Sequence, residues 1–203
     1  MTNTNNFRNL FVAGVLVLIL VAAIPTLTLF VKIPSSSEQF SELWLLGPDH
    51  KAENYPFNVG VNETYTVYVR VSNRLGESAY YRILAKFRNQ TQSVPVAANS
   101  TPSTLPALYE YNVFVASDDS WEGELSFRIE SVVGQNNTVV VRQMSFNYVA
   151  LAFDPPSQAI WDSQRDGFYY QLFLELWRYD LTSQAFEYDN RFVALWLNFT
   201  KTV

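Results

Sequence analysis

The sequence predicts an all-β domain, an antiparallel β-sandwich, behind one N-terminal transmembrane helix. Three observations point there. Residues 9–31 hold no charged side chain. Beyond residue 42, apolar residues recur at every second position, the period of a half-buried strand. Nowhere do strand patterns alternate with helical ones, as a parallel α/β sheet requires.

The uncharged run comes first. Residues 9–31 extend roughly 34 Å as a helix, enough for a hydrocarbon core of about 30 Å. A backbone in lipid must satisfy its own polar groups, so the run is helical. Pro25 falls in its outer third, where the hydroxyls of Thr26 and Thr28 can serve the carbonyl it frees. The apolar region of a cleaved signal peptide is shorter, about 7–15 residues, and ends at small residues. This one runs on into Phe30, Val31 and Lys32. The expected organisation is a cytoplasmic tail at 1–9, a transmembrane helix at 10–31, a spacer at 32–41 with Pro34 and Ser35 to Ser37, and a β-domain at 42–203. Arg8 and Lys32 flank the run and do not orient it. The Asn-X-Ser/Thr sequons do. Asn62, Asn89, Asn99, Asn136 and Asn198 all lie after the helix, and an N-linked glycan needs a surface outside the cytosol. The β-domain is therefore expected to be extracytoplasmic.

Residues 42–46 form a short strand closed by Gly47 and Pro48. Tyr65, Val67, Val69 and Val71 share one face of the next, opposite Thr64, Thr66, Tyr68 and Arg70. Tyr81, Ile83, Ala85 and Phe87 alternate with Arg82, Lys86 and Arg88. Residues 89–106, with Pro95, Pro102 and Pro106, read as a long loop and the least ordered part. Tyr111, Val113 and Val115 face one way, and so do Leu125, Phe127 and Ile129. Residues 134–137 turn the chain. The strand at 139–149 has Val140, Met144, Phe146 and Tyr148 as its expected inner side, and Asp154, Pro155 and Pro156 break it. Residues 168–178 allow an apolar helix face, but their Phe, Tyr and Trp content and the spacing of Leu172, Leu174 and Leu176 favour a strand. Residues 191–199 supply its partner, with Val193, Leu195, Leu197 and Phe199 on one side. Seven or eight strands result. Two apolar sheet faces must cover each other, so the arrangement is an immunoglobulin-like sandwich, although the Cys…Trp…Cys spacing of true immunoglobulin domains is absent. A barrel is the alternative.

Composition narrows the chemistry. There is no cysteine and one histidine, which excludes disulfide scaffolds, iron–sulfur clusters, thiolate zinc sites and thiol nucleophiles. The net charge of -5 gives no footprint for nucleic acid. No phosphate-binding glycine loop is present, and no cofactor is implied. Ser35 to Ser37 have no base or oxyanion context. The densest polar group is the loop of Gly47, Pro48, Asp49, His50, Lys51, Glu53, Asn54, Tyr55 and Pro56. Asp49, His50 and Glu53 each offer a metal ligand, but Lys51 stands beside them. The loop reads as structural, with Gly47 at positive φ, or as an interface. Asp118, Asp119 and Glu122 read as a solvated turn, with weak calcium binding as the alternative. Trp44, Trp121, Trp161, Trp177 and Trp196 read as core. Tyr80, Tyr81, Tyr169 and Tyr170 put aromatics on both strand faces, which suits a partner surface.

Residues 42–59, from Leu46-Gly47-Pro48 through Lys51 to Pro56, with the Val-rich strand and Asn73 that follow, resemble the DUF1616 family. Trp161, Asp166-Gly167, Tyr170 and Leu172 resemble the family's tail. The resemblance implies an archaeal membrane protein with a sandwich-type surface domain, and no catalytic residue. The expected function is a non-enzymatic, membrane-anchored cell-surface protein. It would be an accessory or structural subunit with the lipid bilayer, N-linked glycans and other proteins as partners. A glycan or cell-wall-polymer binding module and a hydrolase with dispersed carboxylates are the alternatives.

Overall fold

A computed structural model describes residues 11–15, 17, 39–135 and 137–199. The chain divides into two compact units, Met1–Glu38 and Gln39–Val203. In the first, residues 11–15 and 17 are helical and exposed. The remainder of the expected transmembrane helix, the tail at 1–9 and residues 32–38 of the spacer lie outside the described residues. Among the described residues no helix is long and apolar enough to cross a membrane.

The second unit is all-β. Its nine strands among the described residues are β1 (Phe40–Leu46), β2 (Thr64–Arg74), β3 (Ala79–Asn89), β4 (Tyr109–Val115), β5 (Ser120–Gln135), β6 (Thr138–Phe146), β7 (Val149–Asp162), β8 (Gly167–Asp180) and β9 (Ala185–Phe199). All their pairings are antiparallel. One sheet runs β1-β2-β5-β6-β7 and the other β4-β3-β8-β9. They join where Trp161 and Asp162 at the end of β7 pair with Phe168 and Gly167 of β8. The continuous ladder thus folds back on itself in a β-sandwich-like arrangement.

The alternation seen in the sequence accounts for the core. Val67, Val69 and Val71 of β2 and Leu125, Phe127 and Ile129 of β5 are buried from one sheet. Tyr81, Ile83, Ala85 and Phe87 of β3 and Tyr170, Leu172, Leu174 and Leu176 of β8 are buried from the other, all in one cluster. Residues 168–178 are strand, as their aromatic content indicates.

β8 is buried on both faces over its first ten positions. Its alternate side chains, Gln171, Phe173 and Glu175, are buried as well, and the segment 90–107 reaches Glu175 through Ser103. That segment holds one 3-10 turn, Ala97–Asn99. It is tied down rather than free. Lys86 Nζ lies 2.9 Å from Glu175 Oε2 and donates to the Ser103 carbonyl at 2.7 Å. The Ser103 amide donates to Glu175 Oε1 at 2.7 Å. Arg88 Nε donates to Gln171 Oε1 at 2.6 Å, and its guanidinium lies over Trp196. Lys86 and Glu175 are paired with each other, and Arg88 is satisfied by neutral acceptors, the Gln171 amide and the Asn89 and Gln92 carbonyls.

Two expectations fail near β6, each for a backbone reason. The inner side of β6 is Val139, Val141, Met144 and Phe146, while Val140 is half-buried and Tyr148 is 88% exposed. A register shift between Val141 and Gln143 exchanges the faces midway. Asn147 and Tyr148 have φ of 44° and 68° and form the hairpin turn into β7 rather than strand. Asp154, Pro155 and Pro156 do not end the strand either. Ala152 pairs with Gln143 and Ser157 with Val141, so residues 153–156 leave the ladder and return. Prolines are tolerated there because no ladder donor is needed.

Candidate functional site

Two places on the β-domain gather exposed chemistry. The first is the side of β1. The loop after β1 closes with the Gly47 amide donating to the Lys51 carbonyl at 2.7 Å and the His50 amide to the Gly47 carbonyl at 3.0 Å. Gly47 is not at positive φ, contrary to the sequence reading. His50 and Asn54 are, at 58° and 57°. Gly47 is required by proximity instead, because a Cβ there would stand 1.9 Å from the Glu53 carbonyl oxygen. His50 stacks on Tyr68 with ring centroids 3.8 Å apart and gives its Nδ1 hydrogen to Glu122 Oε1 at 2.6 Å. Glu122 therefore anchors the loop to β5, and Arg70 stands 3.9 Å from its other oxygen. Asn54 donates to Asp49, and Lys51 faces Glu53 at 3.7 Å. Among the described residues no group of three or more His, Cys, Asp or Glu side chains could hold a metal ion. Pro48 and Glu53 are exposed and Pro56 is half-buried.

Beneath this loop, β1 faces β9 across an apolar hollow of about 360 Å³. Leu43, Trp44 and Leu45 form one wall, and Val193, Ala194 and Leu195 the other. Side chains cap two of the carbonyls on the free edge of β1. Arg191 Nε donates to the Ser41 carbonyl at 2.8 Å, and Tyr55 Oη to the Leu45 carbonyl at 2.7 Å. Trp44 remains 47% exposed and Phe40 37%, so Trp44 is rim rather than core. Trp121, Trp161, Trp177 and Trp196 are half-buried. Asp189 stands in a bulge of β9, 3.8 Å from Arg178. Burial raises its carboxyl above the usual range, against the opposing pull of Ser41, Arg178 and Arg191. On the same strand, burial and the Glu175 charge push the Tyr188 phenol up to about 12.

The second place is the edge of β7. Residues 151–158, the end of β3 and residues 105–108 enclose a cleft of about 490 Å³. Phe87 forms part of its wall, packed on Phe153 and Tyr170. Tyr170 locks the returning strand by donating to the Val139 carbonyl at 2.6 Å and accepting from the Ala159 amide at 3.0 Å. Burial raises its phenol far above the ordinary value, so it stays a neutral donor. Asn89 spans the rim. Its Oδ1 accepts from the amides of Thr91 and Gln92, and its Nδ2 donates to the Gln158 carbonyl at 2.7 Å. Ser157 lines the cleft with its Oγ buried and unpartnered, a state that costs about 1–3 kcal/mol. Asp154 is exposed at the mouth.

The sequons divide by environment. Asn62 and Asn99 are exposed, Asn89 is half-buried, and Asn136 lies outside the described residues. Asn198 is buried, donates to Asn58 Oδ1 at 3.0 Å, and lies against Gly167. A sugar there has no room in the folded domain. Of the acidic turn, Asp118 carries φ of 60° and Asp119 accepts from the Ser120 amide. Neither joins Glu122 in a ligand set. Sequence reasoning missed Asp154, Ser157 and Gln158. The available signal was a Pro-Pro pair interrupting a strand that resumes beyond it.

A family model described as a domain of unknown function, DUF1616, matches residues 34–141, more than half of the chain. No curated protein matches. Among solved structures the chain is similar to a β-glucosidase from Listeria innocua in complex with glucose, at 10% identity and a TM-score of 0.37. That alignment covers 82% of this chain and 17% of the other. A likeness of that size carries no argument about binding or activity.

Proposed function

We propose that this chain, which belongs to the DUF1616 family, is a non-enzymatic, membrane-anchored surface protein acting as an accessory or structural subunit through the β1 side of its domain. The observation that carries the reading is the rim of the β1–β9 hollow. Trp44 stands exposed there over apolar walls, and Phe40 is exposed beside it in an adjoining hollow with Glu42 and Arg191; exposed aromatics around an apolar depression are the composition of a protein-binding centre. The uncharged run at 10–31 supplies the anchor, with residues 1–9 inside the cell and the domain outside it, in the immunoglobulin-like arrangement and archaeal setting that the resemblance implies. Asn62, Asn89 and Asn99 are the sequons that suit a glycan, and Asn198 is left out.

A hydrolase reading lacks support. A glycosidase needs two carboxylates opposed across a cleft, and among the described residues Asp154 alone of the carboxylates lines the cleft at β7.

The test is purification of the full chain from native membranes in mild detergent. The wild type should retain a stoichiometric protein partner, and Trp44→Glu should lose it while keeping its thermal unfolding transition. A lone, monodisperse wild-type monomer would overturn the reading. So would protease that reaches the domain only from the cytoplasmic side.

A further inference from the structure

We propose that the cleft at the β7 edge binds one neutral sugar unit. The inference goes beyond the function proposed above and does not rest on it.

Charge selects the ligand class first. Among the described residues no lysine, arginine or histidine lines the cleft, and its one charged side chain is Asp154. A phosphate, sulfate or carboxylate would enter without a counter-charge and next to an anion. The remaining polar groups are the amides of Asn89, Gln92 and Gln158 and the hydroxyl of Ser157. Amides and hydroxyls both donate and accept, and the carboxylate accepts. Vicinal sugar hydroxyls also do both, so they can answer Gln92, Gln158 and Asp154, while Asn89 holds the rim. An ammonium ion only donates. It would suit Asp154 and offer no acceptor to the side-chain amide N–H groups of Gln92 and Gln158.

Shape agrees. Leu105 and Leu108 on one side and Phe153 with the two prolines on the other give apolar walls, which suit the C–H faces of a pyranose ring. About 490 Å³ lies within the range of small-molecule sites and leaves room for the glycosidic linkage to emerge. The rim is set in advance, because both polar atoms of Asn89 are already engaged. Ser157 stands in the wall with its Oγ buried and without a partner.

The sugar has two sources. It is either a separate glycan or the chain's own, because the Asn89-Gln90-Thr91 sequon begins on the rim.

The experiment uses the full chain in detergent micelles, made in a host without N-glycosylation, and saturation-transfer NMR. The probes are the methyl glycosides of glucose, galactose and mannose, with glucuronate and lysine amide as charged comparisons. At least one methyl hexoside should receive saturation, and glucuronate should not. Ala152→Trp, which fills the mouth at an exposed position, should abolish the signal with the thermal transition unchanged. Asp154→Asn should weaken binding about tenfold, the equivalent of one charge-assisted hydrogen bond. Three outcomes overturn the proposal: no transfer to any hexoside, transfer that survives Ala152→Trp, or transfer confined to lysine amide. A second arm assigns the source, using chain from its native membrane. If Thr91→Val, which removes the sequon, uncovers hexoside binding that the glycosylated wild type lacks, the chain's own glycan fills the cleft. Equal binding by the two supports a separate glycan.

Discussion

The two flanks of the sandwich manage an open strand edge differently. On the β1 flank the backbone is capped from outside by Arg191 and Tyr55, and the surface left over is apolar with an exposed Trp44. On the β7 flank the edge departs from its ladder at residues 153–156, and what is left is a hollow lined by amides, a carboxylate and an unpartnered hydroxyl. An exposed edge invites unwanted pairing. Capping blunts it and leaves a surface for another protein. Bulging blunts it and leaves a site of small-molecule size. On the two proposals above, one fold would use its two edges for two kinds of recognition.

The largest expected effect sharpens that contrast through the wall of the β7 cleft. Glu175 holds Ser103, and the Ser103 hydroxyl accepts from the Leu105 amide at 3.2 Å. Glu175→Ala leaves Lys86 buried and unpaired, which should cost about 3–5 kcal/mol in urea unfolding. It should also abolish hexoside binding, while contacts at Trp44 persist in the remaining folded fraction. Next comes the β1 flank. Gly47→Ala forces the Glu53 carbonyl aside and should cost about 1–3 kcal/mol, with hydrogen exchange accelerated in residues 47–56 and unchanged at the β7 edge. Equal acceleration at both flanks would break the comparison.

Acidity gives a smaller effect with a definite sign. Burial raises the Asp189 carboxyl, so the folded chain keeps that proton to a higher pH than the unfolded chain. Its influence is neutral below the ordinary carboxylate pKa, and stability declines as pH rises from there through the folded value. Asp189→Asn should remove that decline. Asp180, at the tip of the same hairpin, is lowered by hydrogen bonds from the Ser183 and Thr182 amides. Its contribution is complete above the unfolded pKa and is lost as pH falls through the folded value. Urea midpoints of Asp189→Asn and Asp180→Asn across the acid range should therefore shift in opposite directions. Smallest is His50→Ala. The pair with Glu122 is half-exposed, and its loss should cost about 0.2–1 kcal/mol, partly screened by salt.

The sequence made the regular parts of this fold readable and hid the sites. Val67, Val69 and Val71, or Leu172, Leu174 and Leu176, announce their burial because the period of two is unbroken. β6 defeats the same rule, since one bulge exchanges its faces between Val141 and Met144, and no composition signal marks it. β7 is obscured because proline ends a strand only where a ladder donor is needed, and residues 153–156 stand outside the ladder. The loop after β1 is legible as a cluster, but its anchor is not, because His50 and Glu122 lie 72 positions apart. The β7 cleft draws on three stretches near residues 89, 106 and 154. Only the folded order of strands brings them together.

Paired photo-crosslinking of the full chain in its native membrane tests the difference between the flanks most directly. A photoreactive residue is placed at Trp44 in one sample and at Asp154 in another. Position 44 should give one discrete protein adduct, and position 154 should give none, or an adduct sensitive to glycan removal. Discrete protein adducts of the same size from both positions, or none from position 44, would contradict the account.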